Sequence, residues 1–140
     1  MDNSILAGKY IYNLMIENDE LSELVDSDKI YPLRVELRLD PVTGEEQEIT
    51  FPFIIYSRTM LEPTYTKNFL TENLQKYTVI VVSDDYDNSL DVANAVRHAL
   101  EGKAIRNEYL NICPIKLDSV TEETMEDTII QRMEFSFAVN

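Results

Sequence analysis

The sequence predicts an α+β fold: a mainly antiparallel β-sheet with two principal helices packed on one face. Three observations carry that expectation. Phe51-Pro52-Phe53-Ile54-Ile55-Tyr56 is an apolar strand, and Tyr77-Thr78-Val79-Ile80-Val81-Val82-Ser83 is a second. The second runs straight into an amphipathic helix over residues 88–100. Strands and helices do not alternate regularly, and the links between strands read as hairpins, which sets the pattern apart from a parallel α/β sheet. The expected order is α-β-β-β-α-β-β, within one domain over residues 1–140.

Residues 4–16 read as the first helix, because Ile5, Leu6, Ile11, Leu14 and Met15 fall near helical spacing and Asp2, Asn3 or Ser4 can cap its first turn. A polar break at residues 17–20 ends it. Leu21, Leu24 and Val25 then form a short apolar turn ahead of Ile30-Tyr31-Pro32. Residues 33–40 alternate cleanly, with Leu33, Val35, Leu37 and Leu39 on one face and Arg34, Glu36, Arg38 and Asp40 on the other. That alternation predicts a strand with one wet face. Asp40-Pro41-Val42-Thr43-Gly44 is turn chemistry, and Glu45, Glu46 and Glu48 extend an acidic connection toward Phe51, so a hairpin is expected.

Residues 57–74 follow neither the helical nor the strand period and predict a long loop of the kind that is often functional. Within it Tyr65, Phe69 and Leu70 admit two readings: packing on the parent subunit, or anchoring a neighbour. The second helix is sharply marked. Asn88 as N-cap places Asp91 at N3, Asp84, Asp85 and Asp87 favour the positive end of the helix dipole, and Gly102 stands just past the end. Its buried stripe is Val92, Val96, Ala99 and Leu100. Two further strands are expected at residues 105–117, where Pro114 marks an edge or bulge, and at 128–139. In the last strand Ile129, Met133, Phe135, Phe137 and Val139 share one face, and Arg132, Glu134 and Ser136 the other.

The strands at 51–56 and 77–83 are apolar on both pleat faces, so each needs cover on both sides. Two helices supply one side. The chain is therefore expected to finish its burial against copies of itself or against neighbours.

A hydrophobic content of 44% with three glycines indicates a folded chain. No apolar run approaches the ~20 residues of a membrane helix, and the N-terminus lacks the basic and apolar regions of a signal peptide, so a soluble protein made in a cytoplasm is expected. The single cysteine, Cys113, has no internal disulfide partner and reads as a plain thiol. The net charge is −14, and the acid is general: twelve acids to four bases in residues 1–50, six to four in 51–100, eight to four in 101–140. Such a surface repels a nucleic-acid backbone, which demands a Lys/Arg stripe. Solubility alone explains the excess acid, and so does a surface that must pass near DNA without holding it.

No catalytic constellation emerges. The aspartates at 84, 85, 87 and 91 invite a cation, but an EF-hand loop begun at Asp85 has Leu90 where glycine is needed and Val96 where glutamate is needed. Capping already explains them. His98 is the lone histidine and has no nucleophile with an orienting partner, while Gly8, Gly44 and Gly102 are too isolated to cradle phosphate. Neither a cofactor nor a metal is expected.

In these elements the chain resembles the small tail-completion, or tail-terminator, proteins of long-tailed bacteriophages, a family that also covers head-tail joining components. The resemblance rests on the N-terminal helix, on Ile30-Tyr31-Pro32, on the strands at 51–56 and 77–83, on the helix ending Val92-Ala93-Asn94-Ala95-Val96-Arg97-His98-Ala99-Leu100, and on the closing Glu134-Phe135-Ser136-Phe137. It implies a non-enzymatic subunit that assembles into a ring, usually of six, on the head-proximal end of the tail tube. That ring would stop tube polymerisation and offer a surface to the head connector, with DNA passing by without specific binding. The implied partners are further copies, tube protein and head connector. The implied place is the virion tail, reached through the host bacterial cytoplasm, with no membrane involved. On this reading Tyr65, Phe69 and Leu70 are candidate interface residues, and Glu45, Glu46, Glu48, Asp84, Asp85 and Asp87 form a candidate acidic surface. The same physics fits an end-ring or adaptor subunit of a contractile injection apparatus, or a monomeric acidic module that binds a basic partner.

Overall fold

The computed structural model describes residues 3–36, 41–45, 48–66 and 69–140, with residues 66 and 69–71 described by backbone alone. Its elements are α1 (Ala7–Ile16), α2 (Asp19–Leu24), β1 (Ile30–Pro32), β2 (Phe53–Thr66), β3 (Phe69–Ser83), α3 (Tyr86–Leu100), β4 (Ile105–Arg106), β5 (Asn111–Ile112), β6 (Lys116–Met125) and β7 (Thr128–Val139). One sheet runs β1-β2-β3-β7-β5-β4, and β6 also pairs with β7. Every pairing is antiparallel except β1 with β2. The fold is α+β.

Strand alternation sorts the sheet into two faces. Tyr77, Val79 and Val81 of β3 and Met133, Phe135, Phe137 and Val139 of β7 pack with Ala7, Ile11 and Met15 of α1, Leu21 of α2, and Val92, Val96 and Leu100 of α3. Each such large side chain, fully buried, contributes about 1.5–3 kcal/mol. The opposite face carries a smaller cluster, Phe53, Val82 and Ile130, with Tyr31, Val35, Ile55 and Ile80 half-buried against it. All three helices send residues into the first cluster and none into the second.

Five sequence expectations need correction. The strand expected over 33–40 is absent from its described part. Leu33 N–H donates to the Tyr56 carbonyl at 2.9 Å and Arg34 N–H to the Pro32 carbonyl at 2.8 Å, so the chain turns at Leu33, whose φ is 69°. Residues 37–40 lie outside the described residues. The hairpin expected between that strand and the next is replaced by a parallel pairing, with Ile30 opposite Ile54 and Pro32 opposite Tyr56. Alternation alone cannot form a strand where no neighbouring edge lies alongside it.

The loop expected over 57–74 is instead the far half of the β2–β3 hairpin. Past Tyr56 the side chains of β2 do not alternate between buried and exposed, with Met60 and Leu61 both half-buried and residues 62–65 all exposed, so the period-2 signal disappears. Similarly, the strand expected over 105–117 breaks into β4, β5 and the start of β6, which continues to Met125. From Asp118 onward β6 is exposed on both faces. Polar links to β7 hold it: Arg132 to Glu123 at 2.7 Å, Ser136 to Asp118 at 3.0 Å and Ser119 to Glu134 at 3.2 Å.

The second helix starts earlier than expected. Asp85 is the N-cap, its carboxylate accepting from Asn88 N–H at 2.9 Å, and Asn88 lies inside the helix with its side-chain oxygen accepting from the Ser83 hydroxyl at 2.8 Å.

Candidate assembly surfaces

The hairpin forms an arm that outgrows the sheet. β2 and β3 stay paired from Phe53 opposite Val82 to Thr66 opposite Phe69, whereas β7 flanks β3 only as far as Asn73. Beyond Asn73 the arm is two strands wide. From Pro63 to Thr66 this two-stranded part reaches roughly 10 Å at about 3.4 Å per residue. Threonine and tyrosine, which recur along it, are residue types enriched in strands. Irregularities interrupt the ladder between Arg58 and Met60 and between Thr64 and Tyr65, and the Thr59 hydroxyl donates to the Lys76 carbonyl at 3.3 Å.

On the arm, Tyr65 is 67% exposed, and Glu62 and Glu72 are also exposed. Phe69 and Leu70 belong to β3 by their backbone, and their side chains lie outside the described residues.

A groove of about 620 Å³ lies at the root of the arm, between α1, the turn after β1 and the start of β2. Its apolar walls include Ile5, Leu6 and Leu33, and its cations are Lys9 and Arg58. Ile5 and Leu33 are 66% and 76% exposed, large apolar side chains left in water. Arg58 Nη1 donates to the Ile5 carbonyl at 3.0 Å, tying β2 to the N-terminal turn. Tyr56 stacks on Tyr12 with ring centroids 6.0 Å apart, and Tyr77 stacks on Phe137 at 5.6 Å. Burial raises the phenol pKa of both Tyr56 and Tyr77 above the usual value, and the Arg58 guanidinium partly offsets this at Tyr77. No sequence signal pointed to this groove. Lys9 and Arg58 meet there only because α1 packs beside β2.

The acidic candidates are distributed. Glu45 and Glu48 are exposed in the connection before β2, and Glu46 lies outside the described residues. Asp84, Asp85 and Asp87 are exposed at the start of α3, where Asp85 caps the helix. Among the described residues no three His, Cys, Asp or Glu side chains stand together as a metal set. His98 Nδ1 lies 2.8 Å from Glu20 Oε2, linking α3 to α2. Cys113 is half-buried, its N–H donating to the Ala138 carbonyl at 2.9 Å and its sulfur accepting from Asn140 Nδ2 at 3.8 Å. No helix among the described residues is long and apolar enough to cross a membrane.

No family model matches the chain, and no curated protein matches it. Among solved structures, a chain of the "Virion of native gene transfer agent (GTA) particle" superposes with a TM-score of 0.71 at 15% sequence identity, covering 92% of this chain and 90% of that one. The protein therefore has the fold of a chain found in a gene transfer agent virion.

Proposed function

We propose that this protein is a non-catalytic structural subunit of a phage or prophage tail, forming a ring of six at the head-proximal end of the tail tube that ends tube polymerisation and joins the tube to the head. The observation that carries the reading is the fold shared, over nine-tenths of both chains, with a component of a gene transfer agent virion. The subunit's own surfaces support it. One sheet face is covered only by a small apolar cluster, the arm extends past the strands that would flank it, and a groove leaves large apolar side chains exposed. These are surfaces that a neighbouring copy completes. The net charge of −14 suits a conduit that must let DNA pass without holding it. Tyr65, Phe69 and Leu70 fall on the part of the chain that reaches outward, consistent with a subunit contact. The partners on this reading are further copies, tail-tube protein and head connector, with no metal or cofactor required.

Light scattering coupled to size exclusion, across a wide range of protein concentration and at two salt levels, tests the proposal. A discrete species near six subunits supports it. A chain that stays monomeric at the highest concentration overturns the self-assembling ring and favours the monomeric acidic module, whose binding to a basic partner weakens with salt.

A further inference from the structure

The groove beside α1 and the corner where α3 begins are complementary in charge and in polarity. Among the described residues the groove is lined by Lys9 and Arg58 and by no Asp or Glu, in a chain that carries 26 acids against 12 Lys and Arg. Its apolar wall is Ile5, Leu6 and Leu33, all exposed. Residues 84–91 are the converse surface: Asp84, Asp85, Asp87 and Asp91 are all exposed, with no Lys or Arg between them. Tyr86 and Leu90 stand among them at 45% and 40% exposure. Their i, i+4 spacing sets them side by side on α3, and Asp87 and Asp91 form the adjacent row. The Tyr86 hydroxyl donates to Glu122 at 3.0 Å, which holds the ring at the corner and adds a further acid. The acidic run at 17–28 exposes no large apolar side chain, and the β6–β7 hairpin mixes its acids with Lys116 and Arg132. Groove and corner cannot meet within one chain: Tyr77 lines the groove, and Ser83, just before the corner, lies roughly 20 Å farther along β3.

We infer that the start of α3 in one copy docks in the α1–β2 groove of the next, with Tyr86 and Leu90 against the apolar wall of Ile5, Leu6 and Leu33 and with Asp87 and Asp91 facing Lys9 and Arg58. The inference rests on the ring reading above and specifies its contact. Groove and corner are different surfaces, so the contact is head-to-tail, the kind that closes into a ring when the rotation per subunit is a whole fraction of a turn. The apolar side chains supply the buried centre of the contact, and the charges around them select its orientation. Because the attraction is partly ionic, assembly weakens as salt rises.

The test is zero-length carbodiimide cross-linking, which joins an amine only to a carboxylate in contact with it, with oligomer size followed in parallel by light scattering. The protein is mixed from isotopically light and heavy preparations, so that mass spectrometry separates links between copies from links within one. Links between copies from Lys9 to Asp87 or Asp91 are expected. A species near six whose Lys9 joins other carboxylates, or none, overturns the docking and leaves the ring standing. A monomer overturns both. Charge reversal gives a second reading that needs no cross-linker: Lys9→Glu alone and Asp91→Lys alone each raise the concentration needed for assembly several-fold while the melting temperature of the dissociated subunit hardly changes, and the double variant restores assembly. Additive losses in the double variant also overturn the contact.

Discussion

Tyr77 crowds Gly8: a Cβ on Gly8 would lie 3.1 Å from the Tyr77 hydroxyl oxygen, close enough that Tyr77 must give by a few tenths of an ångström. Tyr77 cannot easily move aside, because its ring is buried and is stacked on Phe137. Gly8→Ala should therefore lower stability by about 1 kcal/mol, although alanine is favoured over glycine in a helix by a similar amount. In a Tyr77→Phe background the hydroxyl is gone and the same substitution should stabilise. Urea unfolding of the four proteins in this cycle gives the coupling directly.

The buried phenols make stability depend on alkaline pH. Tyr77 and Tyr56 have pKa values raised above 10.0, chiefly by burial, so the folded state keeps their protons longer than the unfolded chain does. Stability from this source is fully present below the unfolded pKa and is lost as pH rises through the folded one. The urea midpoint should fall above pH ~10. Tyr77→Phe should make that fall shallower, and an unchanged slope would remove Tyr77 from the account.

At the start of α3, the three acidic side chains are not equivalent. Asp85 accepts from the Asn88 N–H, so Asp85→Ala should cost about 0.5–2 kcal/mol, whereas Asp84→Ala should stay within about 0.5 kcal/mol of the parent. Thermal unfolding distinguishes them. Added Ca²⁺ should shift neither curve.

Tyr65→Ala separates folding from assembly. Its side chain is exposed, so the melting temperature of the dissociated subunit should hardly change, while the concentration needed for assembly should rise. Equal loss of both would place Tyr65 in the subunit's own packing.

The β6–β7 hairpin carries a local strain that can be relieved. Glu126 opens a two-residue turn between Met125 and Thr128 at φ 55°, a backbone region that favours glycine. Glu126→Gly should stabilise by up to about 1 kcal/mol. Calorimetry would show a raised midpoint.

The helix-facing core was legible because burial writes a period into the sequence. Val79 and Val81 on β3, Met133, Phe135 and Phe137 on β7, and Val92 and Val96 on α3 sit where spacing placed them. The far half of the arm and most of β6 were illegible for the converse reason. Residues such as Thr59, Thr64, Thr121 and Glu122 meet water on either face, so their pairing is recorded in backbone hydrogen bonds and not in side-chain polarity. The parallel register of Ile30 with Ile54 depends on a return path that local pattern does not encode. Of the candidate surfaces, the stretch around Tyr65 stood out as an aromatic in polar surroundings. The groove did not, since Lys9, Leu33 and Arg58 come from three separate segments.

An unpaired strand edge invites indiscriminate addition of other strands, the first step toward fibres. Pro63 interrupts that edge. The Lys76 carbonyl faces β2, so alternation turns Asn73 away from β2 and leaves its partner Pro63 with the ring nitrogen toward the open side. An incoming strand finds no donor there and loses a rung midway along the arm. One missing donor on the open edge thus works against edge-to-edge addition of further strands to β2.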